Sequence, residues 1–391
     1  MISGCASESE PVAKSTTPPK KASKSATVAA AATAKVEAKK SPDTDEKLRT
    51  ESEIMLKRLE GHVIRGASDA KNPWALAHGI LAFGPELKAN DGRLAIEVMV
   101  EDFAEWKGKG KNRYIDFPQR SKEDFPVEPH NNLITNALVQ AGVTQNKEFK
   151  LKSGGKVTLA QLVDRVREEA VVPKTPKDWH DFAWTYGALL HSGKTPKSGK
   201  LEALSLEALN YVETQQAFLT ELMRKGMPDK VVKKKQFIYA HTCGGTHMIR
   251  AALFGVSNLK DPKQRQRAQT QIETLLFRWK AERKIYRDMR RKHPMYSLLL
   301  MAQELKFYGH LLETLSTANK VGIYPVSETS RATIRPIIRD LVRVIDDLAV
   351  NYIDLESVRV KRAQTYYDLI GDGCHAIRGL RESLVAFFPR K

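Results

Sequence analysis

The sequence predicts an all-α protein of about twelve helices, in which outer and inner helices alternate along the chain behind an unstructured tail. Three observations lead to this prediction. From Asp45 onward, apolar residues recur with a helical period and few β-branched runs alternate. Long segments of mixed charge alternate with shorter ones rich in Gly, Ala, aromatic residues and His. The first 44 residues contain no aromatic residue.

The N-terminal tail, residues 1–44, consists almost entirely of Ala, Lys, Ser, Thr, Pro and Glu. Such a composition cannot bury enough apolar surface to offset the chain entropy that is lost on folding. We therefore predict a disordered tether over residues 1–44 and one all-α domain of helix-pair repeats over residues 45–391.

The start of this tail suggests a covalent anchor. The segment 2–7, which reads Ile-Ser-Gly-Cys-Ala-Ser, resembles the lipobox of bacterial lipoproteins, where a small residue precedes the cysteine that becomes acylated. The resemblance implies a lipid anchor at Cys5 and a lipoprotein that faces the periplasm of a bacterial cell envelope. No apolar leader precedes Cys5, so a cytoplasmic protein is the alternative.

Charge separates the two classes of helix, because a helix with a polar face belongs on the outside of a fold. Six segments with mixed charge are predicted outer helices: 45–65, 93–106, 157–171, 200–225, 261–291 and 328–351. Six less charged segments are predicted inner helices: 73–84, 131–142, 178–192, 239–255, 295–318 and 364–387. We expect Ala251 and Leu253 of the inner set to be buried, and Arg265, Arg267 and Lys280 of the outer set to lie outside the interior.

The inner segments share a layout, in which polar or aromatic residues at the start lead to small and apolar residues at the end, as in 72–84 and 239–256. Helix pairs of this kind are stabilised by stacking, and six pairs can close on themselves. The chain thus resembles the (α/α)6 toroids, which include lanthionine cyclases, glycoside hydrolases and polysaccharide lyases. The resemblance covers residues 45–391 and implies a ligand site where the N-terminal ends of the inner helices meet. An open helical solenoid is the alternative.

The charge of the chain indicates an anionic partner. The formal net charge is +18, and the first 47 residues carry eight Lys and six acidic residues, so +16 falls in the remainder. A domain this basic attracts polyanions, although a solvated basic surface without a specific partner is the alternative. The basic runs 231–235 and 287–292 lack the interleaved aromatic residues of a single-strand binder, which argues against nucleic acid. We expect an acidic glycan.

Candidate site residues lie in the inner segments, which contain or directly adjoin eight of the ten histidines. Helix N-termini favour anions and neutral imidazoles, and lyases of uronic acids need a base and a donor that neutralises the sugar carboxylate. The predicted proton-transfer residues are His241, Tyr239, His130 and His180. The predicted substrate-binding residues are Arg250, His247, Asn131, Asn132, Tyr308 and His310. Asn131 and Asn132 could instead cap the helix that follows Pro129.

Zinc is the alternative chemistry, and no other cofactor is expected. Cys243, Cys374 and His375 are similar to the zinc ligands of lanthionine cyclases, which come from a cysteine in one inner segment and a Cys-His pair in a later one. This chain departs from that pattern, because a whole repeat with His310 lies between the two segments. A non-catalytic scaffold, with Cys243 and Cys374 as buried thiols, is the third hypothesis.

Overall fold

The structure, a computed structural model, describes residues 43–110, 113–232 and 242–390. The predicted tether with Cys5 lies outside these ranges apart from its last two residues. Tyr239, His241 and the side chain of Cys243 also lie outside the described part of the chain.

The described ranges contain fourteen α-helices and four short strands, which confirms the all-α prediction. The first seven helices are α1 (Asp43–Ala67), α2 (Pro73–Phe83), α3 (Ala95–Phe103), α4 (Leu133–Gln140), α5 (Leu159–Glu169), α6 (Pro176–Ser192) and α7 (Leu201–Arg224). The others are α8 (Thr242–Gly255), α9 (Pro262–Lys292), α10 (Ser297–Lys320), α11 (Glu328–Asp347), α12 (Ala349–Ile353), α13 (Leu355–Lys361) and α14 (Ala363–Phe387). Each predicted segment coincides with one helix, except that the predicted 328–351 is divided between α11 and α12.

Two short antiparallel hairpins, which are not predicted from the sequence, interrupt the helical pattern. Their strands are β1 (Glu105–Lys107), β2 (Tyr114–Asp116), β3 (Glu148–Lys150) and β4 (Lys156–Thr158). Gly154 and Gly155, between β3 and β4, have φ angles of +92° and +85°. Glycine adopts this left-handed conformation without steric cost, so the Gly-Gly pair is the signal for this turn.

None of the helices in the described ranges combines the length and apolar character that a membrane span requires.

The inner helices contact one another in a closed cycle. Helix α2 packs against α4, α4 against α6, α6 against α8, α8 against α10 and α10 against α14, and α14 in turn packs against α2. These six helices are the six predicted inner segments. Among the outer helices, α1 contacts α2, α11 and α14, while α7 lies between α8 and α9.

Burial follows the predicted division between inner and outer helices. Ala251 and Leu253 are 8% and 0% exposed, whereas Arg265 and Lys280 are exposed and Arg267 is partly exposed, which confirms the prediction. The most central helix is α10, whose residues 304–318 are all buried. A helix whose whole circumference is buried belongs to the interior of a fold.

Glycine allows α10 and α14 to approach closely. A Cβ atom on Gly309 would lie 2.8 Å from the Cα of Ala376, and one on Gly379 would overlap the carbonyl oxygen of Gly309. The two backbones are therefore nearly in contact, a distance that larger residues would not permit. This approach brings together His310 on α10 and His375 on α14.

The start of α4 differs from the capping that the sequence suggests. Asn132 occupies the N-cap position with a φ of +65°, but its side chain makes no capping bond. It donates instead to the Oγ1 of Thr185 at 3.0 Å. The free N–H of Ile134 donates to Oε1 of Glu128 at 2.9 Å, so a buried carboxyl caps this helix in place of the asparagine.

Candidate functional site

Three histidines from neighbouring inner helices converge on one point. His247 on α8, His310 on α10 and His375 on α14 each offer a nitrogen, and these atoms all lie within 4.8 Å of one another. The ring centroids of His310 and His375 are 4.0 Å apart, and that of His247 lies 4.6 Å and 4.9 Å from them. The Nε2 atom of each ring is buried without a hydrogen-bond partner among the described residues. Because imidazole nitrogen is a common metal ligand, these three residues, the histidine cluster, could hold a metal ion.

A buried carboxylate orients the cluster. Glu313 lies three residues after His310 in α10, and its Oε2 accepts a hydrogen bond from Nδ1 of His375 at 3.0 Å. Nδ1 of His310 lies 3.4 Å from the same oxygen. A carboxylate can only accept, so His375 carries its proton on Nδ1 and the lone pair on Nε2. Histidines that bind metals usually donate their other nitrogen to a carboxylate or a carbonyl in this way.

A second carboxylate lies on the other side of His310. Nε2 of His310 is 3.7 Å from Oδ1 of Asp372, which is too long for a hydrogen bond. Nζ of Lys306 lies 3.4 Å from Oδ2 of the same aspartate and 3.3 Å from Asp368. Lys306 therefore offsets the negative charge beside the cluster.

Burial and charge set the protonation of the cluster. Burial, and then repulsion from the other histidines, holds the pKa of His247 well below its ordinary value. Burial also lowers the pKa of His375 to about 4, although Glu313 opposes the shift. For His310, burial lowers the pKa, but Asp372 and Glu313 together raise it above its ordinary value. At neutral pH His247 and His375 are thus neutral, which is the form of imidazole that binds metals.

A fourth imidazole borders the cluster. His78 on α2 lies edge-on to His375, with ring centroids 5.2 Å apart. Its Nδ1 is 2.7 Å from the carbonyl oxygen of Trp74 one turn earlier, which fixes the ring in the helix. Burial lowers the pKa of His78 to about 3, so this ring is also neutral. It does not belong to the set of atoms within 4.8 Å of one another.

A pocket with a volume of about 20 Å³ lies beside His247. This volume accommodates one or two water-sized groups. Its residues come from α4, α6, α8 and α10, mostly from the C-terminal halves of these helices: Asn136, Gln140, Ala183, Trp184, Gly187, Leu190, His191, His247, Arg250, Ala251, Phe254 and Thr317. The sequence predicts a site at the N-terminal ends of the inner helices, with Tyr239 and His241, and both of these residues lie outside the described part of the chain. The described pocket is near the opposite ends.

The predicted proton-transfer residues that the structure describes lie away from this pocket. Nδ1 of His130 is 3.0 Å from Oδ1 of Asp181, and its ring stacks on Trp184 with centroids 4.0 Å apart. The ring centroid of Trp184 lies in turn 5.0 Å from that of His247, so the indole lies between His130 and the cluster. His180 is buried in α6.

The predicted substrate-binding residues are divided between two regions. His247 and His310 belong to the cluster, and Arg250 lies next to it, as described below. Asn131 is exposed. Asn132 bonds to Thr185, and the hydroxyl of Tyr308 donates to Glu304 at 3.3 Å. Asn132 and Tyr308 therefore bond to partners outside the cluster.

Arg250 connects the cluster with the pocket. It lies one helical turn after His247, and its Nη1 is 3.4 Å from Oε2 of Glu313. Its Nε donates to Oγ1 of Thr317 at 3.0 Å, and its Nη2 donates to Oε1 of Gln140 at 3.2 Å. The guanidinium thus lines the pocket while it pairs with the carboxylate that orients the histidines.

Of the predicted zinc ligands, the structure brings His375 together with His247 and His310 rather than with Cys374. Adjacent helix residues point about 100° apart, so Cys374 and His375 do not face the same point. Burial raises the pKa of the Cys374 thiol, which keeps it in the protonated form that binds metals poorly. The side chain of Cys243 is outside the described residues.

The sequence carries a signal for the cluster that the predicted sets of site residues do not reflect. His247, His310 and His375 are 63 and 65 residues apart, close to a regular repeat. Each is followed three positions later by a charged residue: Arg250, Glu313 and Arg378. Residues three apart lie on the same face of a helix, so the charged residues form a second layer beside the imidazoles.

Comparison with protein-family models, curated proteins and solved structures finds no match for this chain. Within the described ranges, the histidine cluster is the one group of three or more His, Cys, Asp or Glu side chains whose atoms are close enough to share a metal ion.

Proposed function

We propose that the protein binds a divalent transition metal ion, with zinc as the first candidate, through His247, His310 and His375, and that the ion activates water for hydrolysis. One observation carries this proposal: three buried imidazoles from three helices present ligand atoms within 4.8 Å of one another. Three separate elements converge there, and the hydrogen bond from His375 to Glu313 leaves Nε2 of His375 available for the ion.

The donor set suits a catalytic ion. Catalytic zinc sites use three protein ligands and keep the fourth position for water, whereas structural sites use four. Ligand nitrogens about 2.1 Å from a tetrahedral ion are about 3.4 Å apart, so small side-chain rotations would close the observed cluster around the ion. Because His247 borders the pocket, a substrate in the pocket would lie next to the ion. The ion would lower the pKa of its bound water to near neutrality and so supply the nucleophile.

Metal titration tests this proposal. Metal-stripped protein is titrated with Zn²⁺ against a chromophoric chelator, and the proposal predicts one tight site per chain. The substitutions H310A and H375A should each weaken this site at least about 100-fold, because each removes one of three ligands. H191A is the matched control, since His191 lines the same pocket but stacks on Phe254 instead of joining the cluster. Equal affinity in H310A, H375A and H191A would overturn the proposal.

We also propose that the helices form a closed (α/α)6 toroid. The packing of α14 against α2 supports closure, because in an open solenoid each repeat contacts only its neighbours and the terminal repeats stay apart. Small-angle scattering of the chain without its first 42 residues distinguishes the two shapes. A ring gives a compact profile, whereas an elongated profile would contradict closure.

Binding of an acidic polysaccharide, with cleavage as a further step, is the second candidate function. It is supported by the guanidinium of Arg250 in the pocket and by the charge of +16 on residues 48–391. A uronate oligomer should bind wild type, and a neutral oligomer should not. Replacing His241 and Arg250 by Ala should then weaken binding more than replacing Arg287 and Arg290 of α9. Equal loss in both pairs would mean that the oligomer binds a diffuse basic surface.

The lipid anchor at Cys5 and the envelope location remain part of this second proposal. Their support is the sequence around Cys5 and the composition of the tail. Mass spectrometry of the N-terminal peptide, after expression behind a bacterial lipoprotein leader, should find an acylated cysteine. An unmodified Cys5 in the membrane fraction, or a protein confined to the cytoplasm, would contradict it.

A further inference from the structure

Two guanidinium groups converge on a single neutral oxygen beside the histidine cluster. Nη2 of Arg250 donates to Oε1 of Gln140 at 3.2 Å, and Nη1 of Arg378 donates to the same oxygen at 2.9 Å. The amide of Gln140 is held in this orientation, because its Nε2 donates to Oδ1 of Asn136 at 3.0 Å. Two cations thus share one uncharged acceptor.

The carboxylates nearby compensate this charge unequally. Arg378 pairs with Glu382 at 2.8 Å. Glu313 lies 3.4 Å from Arg250 and 3.7 Å from Arg378, but it also accepts the hydrogen bond from His375. Arg250 is only 7% exposed, so water screens its charge poorly. Burial, and then repulsion from Arg378, lowers the pKa of Arg250, which indicates that its cationic form is under-compensated.

The pocket provides the space for a compensating anion. Arg250, Gln140 and Thr317 are among its polar lining residues, and Leu190 and Phe254 are among its apolar ones. A planar oxyanion would match the two parallel N–H donors of a guanidinium better than the single oxygen of an amide does. The volume of about 20 Å³ holds only one or two water-sized groups, so a carboxylate or phosphate group would also occupy the space that the Gln140 amide vacates.

We propose that Arg250, supported by Arg378, binds an oxyanion group of the substrate, a carboxylate or a phosphate, in place of the amide oxygen of Gln140. This inference rests on the proposed function in one respect: His247 borders both the pocket and the metal site, so the anion would anchor the substrate with its reacting bond beside the ion. The substrate class is then a small anionic molecule, or the anionic end of a larger one. Arg250 in this role is a binding residue, and Gln140 is the group that the substrate displaces.

The test measures anion binding in metal-free protein, so that it does not depend on the metal site. Inorganic phosphate and acetate are titrated separately by calorimetry in the presence of a chelator. At least one of the two anions should bind to wild type, and the tighter of them identifies the source of the oxyanion. R250Q, which removes the charge at similar size, should weaken this binding at least tenfold. R378Q should weaken it threefold or more, and R250K should recover part of the loss.

The matched control is R381Q, one turn after Arg378 in the same helix. Arg381 pairs with Glu60 and is not part of the pocket, so R381Q should bind the anion within twofold of wild type. Unchanged binding in both R250Q and R378Q, or an equal loss in R381Q, would overturn the anion site, as would the absence of phosphate and acetate binding in wild type. If R250Q does not fold, the anion affinities of R378Q and R250K test the site in its place.

The same titrations separate this inference from the metal proposal. In the zinc-loaded protein, whichever of the two anions binds more tightly should bind at least tenfold better than in the metal-free protein, and H375A should abolish this gain while retaining metal-free binding. Anion binding that needs Arg250 in a protein without zinc affinity would refute the metal site and leave the anion site in place. Zinc binding without any Arg250-dependent anion binding would refute the anion site and leave the metal site in place.

Discussion

Nδ1 of His375 donates a hydrogen bond to Oε2 of Glu313 across 3.0 Å, and both side chains are buried. This bond joins α10 to α14 at the level of the histidine cluster. It fixes the tautomer and the orientation of one proposed metal ligand, while Arg250 and Arg378 offset the charge of the carboxylate from 3.4 Å and 3.7 Å. Glu313 is therefore a positioning residue of the proposed metal site rather than a ligand.

We predict that E313Q weakens zinc binding by about 10- to 100-fold, which is the usual effect of changing the carboxylate behind a metal-bound histidine. The amide keeps an acceptor for the bond from His375 but removes the negative charge. E382Q serves as the control, because Glu382 pairs with Arg378 rather than with a histidine of the cluster. The measurement is the chelator competition described above. If E313Q binds zinc as tightly as wild type does, Glu313 does not position the ligands.

Glu128 should make the stability of the fold depend on pH. Burial raises the pKa of its carboxyl group to about 8, with smaller contributions from Asp116 and Glu169. Between about pH 4.5 and 8 the folded protein therefore holds a proton that the unfolded chain has lost. The stabilisation that this proton provides is complete below the lower pKa and is lost as the pH rises through the higher one.

The variant E128Q tests this dependence, because Gln keeps the acceptor for the N–H of Ile134 and does not titrate. Between pH 5 and 8 the free energy of unfolding of wild type should fall relative to that of E128Q, by up to about 1.4 kcal/mol per pH unit. Urea unfolding of both proteins at several pH values provides the measurement. Parallel curves would show that Glu128 titrates normally in the folded protein.

The close packing of α10 and α14 predicts a large effect of one added methyl group. In G379A, the new Cβ would overlap the carbonyl oxygen of Gly309 and lie 3.1 Å from the backbone nitrogen of Glu313. Backbone atoms cannot move aside as a flexible side chain does, so we expect a loss of about 1–3 kcal/mol or more in the free energy of unfolding. Zinc affinity should fall as well, because the change separates His310 from His375.

G61A is the control for this substitution. Gly61 lies within α1, and a Cβ there would meet no atom within 4 Å. Alanine is the better helix former, so G61A should increase the free energy of unfolding by about 0.5–1 kcal/mol. A destabilisation in G61A similar to that in G379A would attribute the effect to loss of glycine rather than to helix packing.

The sequence predicts the helices well because they depend on local patterns. Charge contrast and apolar period give twelve segments that coincide with helices, and they correctly place Ala251 and Leu253 inside. The hairpin at Gly154 and Gly155 is missed, since its three-residue strands are too short for an alternating pattern. Its stability depends on the turn and on packing.

The site depends on which residues of distant segments meet, and local patterns do not determine this. The resemblance to lanthionine cyclases groups His375 with Cys374, because the zinc ligands of that family include an adjacent Cys-His pair. In the helix they point in different directions, and His375 faces His310 across the Gly309 contact instead. The repeated spacing of the histidines, with a charged residue three positions after each, would have indicated the cluster.

The most direct test of the metal site is a crystal structure of the zinc-soaked protein with diffraction data on both sides of the zinc absorption edge. The account predicts one anomalous peak per chain, about 2.1 Å from a nitrogen of each of His247, His310 and His375. The bond from Nδ1 of His375 to Glu313 should persist. A peak elsewhere in the chain, or no peak at the cluster in protein that binds zinc in solution, would contradict the proposal that the histidine cluster binds the ion.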